Sequence, residues 1–425
     1  MLLRSNSGER TPRPRRASTA LPGPAPQGVR VGYVFAALAV IGISATGYGL
    51  WDYFSAFRVW PKEIRGDLRS ALRCKERGEQ RKAEQFFQRA LTNAEALLYS
   101  GNAELGAPLS AQLKVSGIAI ALAALLEEQA KLEPALEIYE HAFEQVRNFS
   151  SATNEVGSEL SMRGIALAQK IGEISQRLGG EDHMMRAEKM LSWSLEEMLR
   201  ASAADQQRQS KGSGALNETP DETSIMASEL VLPGWITQAN LGASMENLGA
   251  LYASKGQAEY ALQLYIQALG IIMKSPDPAK RTPPPIQDRC HGATIMNNIS
   301  STIVASSADD RIKSASSWAN KALEIARHTE TASVDAQREA EAGECKGVIA
   351  VALYNLGMIS ELDGNTQNAI KLFREAREQA RLIKLPEGVR HANDALRRLS
   401  ASLLVQCATE TLPHAETLAV HEPLL

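Results

Sequence analysis

The sequence predicts an all-α protein, a superhelix of about six helix–turn–helix units behind one membrane-spanning helix. Three observations lead to this prediction. Alanine and leucine are abundant while aromatic residues make up only 5% of the chain, which favours helices over strands. Small residues recur at a fixed spacing in several segments. An uncharged apolar stretch of membrane-spanning length also lies near the N-terminus.

Composition restricts the class of protein. The 425 residues are 44% hydrophobic and 22% charged, as in ordinary globular proteins. A net charge of −3 gives no support to nucleic-acid binding. The four cysteines are far apart and form no Cys-x-x-Cys pair, so we expect buried, unpaired thiols rather than a zinc site or a disulfide framework. These are Cys74, Cys290, Cys345 and Cys407.

The N-terminal arm, residues 1–30, contains six arginines and one acidic residue among Ser, Thr, Pro and Gly. Such a segment cannot bury enough apolar surface to fold, so we expect it to be disordered. Its Arg-rich, acid-poor composition is also typical of a mitochondrial targeting segment, although its prolines argue against a long amphipathic helix.

The apolar stretch VGYVFAALAVIGISATGYGLW, residues 31–51, has no charge over 21 residues. At ~1.5 Å per residue a helix of this length spans ~31 Å, close to the hydrocarbon thickness of a bilayer. Aromatic residues lie near its ends, where they suit the membrane interface. A cleaved secretory signal would have a shorter apolar core, and a buried soluble helix is rarely so long without a charge. We therefore predict one membrane anchor, with flanking basic residues that favour an N-terminus in the matrix or cytosol.

The segment NLGALYASKGQAEYALQLYIQAL shows the repeated spacing. Gly249 is followed twelve positions later by Ala261 and seven later by Ala268, with the large Tyr265 between them. Three other segments match without gaps, and the predicted packing residues of all four are Ala83, Phe87, Ala90, Ala135, Tyr139, Ala142, Gly249, Ala261, Tyr265, Ala268, Gly357, Ala369, Phe373 and Ala376.

Two weaker copies need about three extra residues, which we place in the turn between the helices. One lies near residues 165–199, with Gly172, Ala187 and Leu191. The other lies near residues 294–327, with Ser300 and Ala315.

The pattern resembles the tetratricopeptide repeat, a 34-residue helix–turn–helix. Small residues let two antiparallel helices approach closely, and a large residue fills the remaining gap. Stacked pairs bury the apolar stripes that neither helix can bury alone. The predicted organisation is a disordered basic arm at 1–30, a transmembrane helix at 31–51, an N-terminal repeat block at 60–200, a linker or long loop at 201–230, a C-terminal repeat block at 231–402 and a tail at 403–425. We expect the proline-rich segment 275–285 to be an extended loop.

The sequence contains no catalytic motif. Its seven histidines are scattered, and no phosphate-binding Gly-Lys-Ser/Thr loop, His-Glu-x-x-His or Gly-x-Ser-x-Gly motif occurs. Asp182 beside His183 is better explained by a turn between helices than by a catalytic dyad. We therefore predict a protein that is not an enzyme and that needs no metal or cofactor.

Three asparagines are candidate binding residues. Asn247, Asn298 and Asn355 occupy the position before the Leu-Gly pair, or its equivalent, in successive C-terminal units, where Arg69, Ala121 and Lys170 stand in the N-terminal units. In peptide-binding proteins that these repeats resemble, asparagine here bonds to the ligand backbone. A carboxamide offers a donor and an acceptor together. The alternative is a solvent-facing polar residue.

The whole layout is similar to a fungal family, the tetratricopeptide adaptor subunit of the mitochondrial inner-membrane i-AAA protease supercomplex. The segment WPKEIRGDLRSAL, which leads from the span into the first repeat, is the most telling. The resemblance implies a single-pass inner-membrane protein with repeats in the intermembrane space. Its partners would be the i-AAA protease, the other adaptor subunit of that complex and unfolded protein substrates.

Two other functions remain open at this stage. An outer-membrane import receptor or chaperone-docking protein would carry a basic clamp, to which Arg69, Arg73 and Lys114 are candidate contributors. A repeat-built assembly factor for a respiratory complex is the other alternative.

Overall fold

The computed structural model describes residues 59–153, 158–212, 232–275, 282–307, 309–331 and 343–410. The predicted arm and the predicted membrane span lie outside these residues. The chain divides into two compact units, 1–65 and 66–425, and the boundary falls within the first described helix.

The described residues form thirteen α-helices and no strand, which confirms the predicted all-α tetratricopeptide-like class. Twelve of the helices follow one another as six pairs, and the thirteenth packs against the last pair. In chain order the helices are α1 Lys62–Glu76, α2 Gln80–Tyr99, α3 Pro108–Glu128, α4 Leu132–Thr153, α5 Ser158–Leu178, α6 Glu181–Gly212, α7 Gln238–Ser254, α8 Ala258–Ile272, α9 Ile286–Ala305, α10 Arg311–Thr331, α11 Gly343–Leu362, α12 Thr366–Leu382 and α13 Pro386–Glu410. A 3₁₀ turn, Ala103–Leu105, precedes α3.

The turns inside four of the six pairs share one backbone conformation. The second residue after the first helix has a positive φ at Gly78, Ala130, Gly256 and Gly364. Glycine adopts this left-handed conformation without steric cost, whereas an L residue does not. Ala130 has a φ of 58°, so the second unit forms the same turn with a less suitable residue.

Small residues bring the two helices of a pair together. A Cβ added to Gly357 would lie 2.8 Å from Cε1 of Phe373, and one added to Gly249 would lie 3.0 Å from Cε1 of Tyr265. All fourteen residues named above as packing residues are buried. In the fifth pair Ser300 stands at the small position, and its Oγ donates to the carbonyl of Ala315 at 2.7 Å.

The extra residues of the two weaker copies lie in different places. In the fifth pair α9 ends at Ala305 and α10 begins at Arg311, so most of them lengthen the turn as predicted. In the third pair only Gly179 and Gly180 separate α5 from α6. There the prediction of a longer turn was wrong, because about one additional helical turn precedes Ala187 in α6.

Two predicted boundaries also need correction. The linker predicted from residue 201 begins later, because α6 continues to Gly212. The stretch after residue 200 is rich in good helix formers, and Ser202 is fully buried with its Oγ bonded to the carbonyl of Met198 at 2.8 Å. The tail predicted from residue 403 is likewise helical as far as Glu410.

Two described helices are long and apolar enough to cross a bilayer, α3 and α11. Each is the first helix of a pair, and about half of the residues in its most apolar stretch are buried against neighbouring helices. Core helices of a helical array satisfy the same criterion, so we assign both to the repeat core.

Candidate functional site

The first helices of the pairs form the inner layer of the array. Contacts join the first helices of successive pairs, α3 with α5, α7 with α9 and α9 with α11, while each second helix packs on the first helix of the following pair. The first helices therefore line one side of the array, as they do on the concave side of helical solenoids. We call the solvent-accessible side of α3, α5, α7, α9 and α11 the inner face, which is the surface that helical solenoids use for binding.

The inner face is apolar at its N-terminal end. On α3, Leu113, Gly117 and Ala121 are half-exposed, and on α5 the side chain of Met162 is 44% exposed. We call these four residues the apolar strip. The side chain of Arg163 extends from α5 towards Gly117 of α3. A Cβ added to Gly117 would lie 3.6 Å from Nη1 of Arg163. Burial lowers the pKa of this guanidinium.

A cavity of about 460 Å³, the central cavity, lies between α5 and α7. Its walls carry small or apolar residues and six polar side chains, namely Gln169, Lys170, Glu173, Gln176, Arg177 and Asn247. Three of the six are carboxamides, which offer donors and acceptors without charge.

The charges around the central cavity largely cancel. Glu127 of α3 accepts from Lys170 at 3.0 Å and from Arg177 at 2.7 Å, and Lys170 also contacts Glu173 at 2.9 Å. Burial alone would lower the pKa of Lys170, but the bonds to Glu173 and Glu127 raise it, so the ammonium remains charged and paired. The cavity therefore has little preference for the sign of a ligand's charge.

Among the predicted binding residues, Asn247 is the one that faces this cavity. It is exposed, and its carboxamide makes no hydrogen bond to the part of the chain that the structure describes. Gln169 is held in place because its Nε2 donates to Ser244 Oγ of α7 at 2.5 Å. Two of the three equivalent N-terminal positions lie in other surfaces, since Ala121 belongs to the apolar strip and Lys170 to the ion pairs.

The other two predicted asparagines bind neighbouring helices. Asn298 Nδ2 donates to Glu246 Oε1 of α7 at 3.0 Å, and His291 Nε2 contacts the other oxygen of Glu246 at 2.5 Å. Asn355 Nδ2 donates to Asn297 Oδ1 at 3.0 Å and to Ser301 Oγ at 2.9 Å, both on α9. These side chains join successive first helices, so the structure does not bring all three asparagines into one open groove.

An apolar cavity of about 230 Å³ lies at the C-terminal end, among α11, α12 and α13. Its lining includes Ala380, Leu385, His391 and Val351, and Val351 is 44% exposed. The inner face thus has apolar surfaces towards both ends and a neutral polar cavity between them.

The residues considered as a catalytic dyad or as a basic clamp contact other parts of the protein. His183 Nε2 lies 3.2 Å from Glu133 Oε1 of α4, at the start of α6. Lys114 Nζ donates to the carbonyl of Leu105 at 2.8 Å, so one residue of the candidate basic clamp already binds the main chain. In the residues that the structure describes, no cluster of three or more His, Cys, Asp or Glu is placed to hold a metal ion.

The sequence interpretation of the cysteines was wrong for two of them. Cys290 of α9 and Cys345 of α11 form a disulfide. Wide spacing in sequence concealed the pair, because residues that meet across two neighbouring first helices are a whole repeat or more apart in the chain. The carboxamides Gln169 and Gln176 were also missed, since only the position before the Leu-Gly pair was compared between units.

Comparisons with known proteins agree with a repeat protein. A tetratricopeptide repeat-containing protein of Schizosaccharomyces pombe is 28% identical over 138 residues, which are 31% of this chain and 33% of that protein. The match thus spans about a third of the relative's length. No family model matches the chain.

Solved structures align over much of the chain at low identity. BtubC from P. vanneervenii aligns with 14% identity over 81% of this chain and 98% of its own, with a TM-score of 0.41. The TPR2AB domain of yeast Sti1, solved as a complex with pHSP90, aligns with 13% identity over 79% and 98%, with a TM-score of 0.26. Both TM-scores are below 0.5, so the fold assignment rests on the helix pairs themselves.

Proposed function

We propose that this protein binds unfolded or extended polypeptides on its inner face and delivers them, as a membrane-anchored adaptor, to the mitochondrial i-AAA protease. The observation that carries the binding part is the neutral, carboxamide-lined central cavity. The adaptor part is supported by the resemblance described above and by the predicted span at 31–51. In this proposal the protein is not itself an enzyme.

The chemistry of the central cavity suits a polypeptide main chain. Each peptide unit presents one donor and one acceptor, and a carboxamide complements both at once. Because Lys170 and Arg177 are already paired with Glu127 and Glu173, a ligand need not supply a compensating charge. Such a site holds many sequences, as a receptor for unfolded chains must.

The apolar strip adds a preference for hydrophobic side chains. Met162 and Gln169 lie seven residues apart on α5, about 10 Å along the helix axis, so one extended peptide of a few residues reaches both. Burying an apolar side chain on the strip contributes roughly 25 cal/mol per Å² of covered surface. Unfolded segments of membrane proteins combine an exposed main chain with such side chains.

A peptide-binding measurement tests the cavity. The full chain in detergent is titrated with a fluorescent, uncharged apolar peptide, and Asn247→Ala/Gln176→Ala is compared with Asn320→Ala. Asn320 lies on the second helix α10 and donates to Ser316 of its own helix. Losing two ligand bonds of ~0.5–1.5 kcal/mol each should weaken the affinity by roughly 5- to 150-fold, while the control binds normally and helicity is unchanged. Equal affinity of all three proteins would reject the cavity as the site.

Two further measurements test the adaptor part. Protease protection in intact and outer-membrane-ruptured mitochondria should show repeats that become accessible only after rupture. Immunoprecipitation in mild detergent should recover the i-AAA protease with the full chain. The anchor gives this arrangement a physical advantage, because confinement beside the protease raises the effective concentration of the captured substrate. Recovery of a respiratory-complex subunit instead would favour the assembly-factor alternative.

An outer-membrane receptor or chaperone-docking protein is the second candidate. It requires a free basic clamp, and the bond from Lys114 to the Leu105 carbonyl disfavours one at the positions considered. Cleavage of the repeats by protease added to intact mitochondria would support this candidate against the adaptor.

A further inference from the structure

The disulfide between Cys290 and Cys345 joins two first helices of neighbouring pairs, α9 and α11. The Cα atoms are 4.8 Å apart and the cysteines are separated by 55 positions in sequence. Both side chains have 0% exposure and lie in one core cluster with Ala293, Val348 and Ile349. The bond therefore links the fifth and sixth pairs from within the core.

Burial determines when such a bond can form. An oxidant in solution cannot reach thiols that have no exposed surface, so the cysteines must meet it before α9 and α11 have packed or during a local opening. The first attack needs an accessible thiolate. Oxidation of this pair must consequently accompany either the folding of the last two pairs or a local opening between them.

Cys74 provides an internal comparison. Cys74 of α1 is free and half-exposed. Indiscriminate oxidation would modify this accessible thiol more readily than a buried pair. Oxidation governed by access alone would therefore reach Cys74 first, whereas oxidation coupled to folding would join Cys290 to Cys345.

We propose that the repeat array folds on the oxidising side of its membrane, and that a disulfide-bearing oxidoreductase supplies the Cys290–Cys345 bond during folding. A thiolate of the pair attacks the oxidoreductase disulfide to form a mixed disulfide. The second cysteine then displaces the oxidoreductase thiolate. The two cysteines lose two electrons and two protons, and the oxidoreductase becomes a dithiol.

The proposal has a consequence for stability. Cross-linking residues 55 positions apart restricts the unfolded chain and stabilises the folded one. Reducing compartments such as the cytosol keep thiols reduced, so the array would lack this link there. The proposal rests on the membrane anchor of the proposed function but not on which ligand the inner face binds. Its thiol count is read out separately from the peptide-binding and immunoprecipitation experiments.

Counting thiols in cells tests the proposal. Cells producing the full-length Cys407→Ser chain are quenched in acid, denatured and treated with a mass-tagged maleimide, with or without prior reduction. We expect one tag, on Cys74, without reduction and three tags after it. When Cys74→Ser is added, we expect no tag without reduction and two tags after reduction. Three tags without reduction would overturn the proposal, and so would two tags in the Cys74→Ser chain, which would mean that Cys74 was a pairing partner.

Thermal unfolding of the purified full chain provides the second measurement. Cys290→Ser/Cys345→Ser should lower the melting temperature by about 5–10 °C, and a membrane-permeable reductant should lower that of the parent chain similarly. Cys74→Ser is the matched control and should melt as the parent does. An unchanged melting temperature in the double variant would show that the bond does not hold α9 to α11.

Discussion

Close packing of helix pairs makes a specific prediction for two glycines of the same helix. In α11, a Cβ added to Gly357 would lie 2.8, 2.9 and 3.1 Å from three ring atoms of Phe373, whereas one added to Gly347 meets no atom within 4 Å. Phe373 is fully buried, and its ring centroid lies 5.3 Å from that of Tyr354. The ring therefore has little room to move away from a new methyl group.

The magnitude follows from two opposing contributions. Replacing glycine by alanine within a helix stabilises it by about 1 kcal/mol, and this contribution is common to Gly357→Ala and Gly347→Ala. Overpacking against Phe373 costs about 1–3 kcal/mol and applies to Gly357→Ala alone. We expect Gly347→Ala to gain up to about 1 kcal/mol in the free energy of unfolding, with Gly357→Ala about 1–3 kcal/mol below it.

Urea unfolding followed by circular dichroism at 222 nm measures this difference. Both variants are made in the full chain and compared at the same detergent and reductant concentrations. Because the helix-propensity contribution cancels between them, the difference reports the contact with Phe373. Equal stability of the two variants would refute the close approach of α11 and α12, and with it the role assigned to the small-residue spacing.

The remaining predictions concern the turns and the inner face. Ala130→Gly should stabilise the folded chain by about 0.5–1 kcal/mol, because Ala130 is held at a positive φ that glycine adopts without cost. Gly256→Ala should destabilise it for the same reason. Urea unfolding midpoints that move in the opposite directions would contradict this explanation of the turns. The hydrogen bond to Glu246 raises the pKa of His291 above 6.5, although burial opposes the shift. The raised pKa means that folding favours the protonated imidazole. The stabilisation of the folded chain by the His291–Glu246 pair is therefore fully present below pH 6.5, and it is lost as the pH rises through the pKa of His291 in the folded chain. Parent chain and His291→Gln should therefore differ most in melting temperature at pH 5.5–6 and converge at higher pH, and a gap that widens with pH would disprove the pairing.

Some features of the fold follow from residues close together in sequence. Gly249, Ala261, Tyr265 and Ala268 recur at intervals set by the 3.6-residue turn of a helix and by a short connection. Their packing partners lie within the same pair, so a local pattern is sufficient to predict the contact. The length of α6 was mispredicted because a polar composition was taken for a linker, although the local helix propensity remained high.

The binding surface was predicted less completely. Asn247 was found because its position recurs in register with the Leu-Gly pair, and the structure places it on the wall of the central cavity. Asn298 shares that register position, yet its carboxamide bonds to Glu246 of the preceding first helix. Register specifies the side of a helix on which a residue lies, but not the neighbour that it meets there.

The sequence alone determined the class of this protein: paired helices held together by small residues, in about six copies. These features are local, because each depends on residues within one repeat length. Tertiary structure decided which side chains of successive first helices meet, including the Cys290–Cys345 disulfide, the Glu246–Asn298 bond and the ion pairs around the central cavity. Those contacts depend on the rotation from one pair to the next, which is set by the packing of entire helices and is not visible in the spacing of residues along the chain.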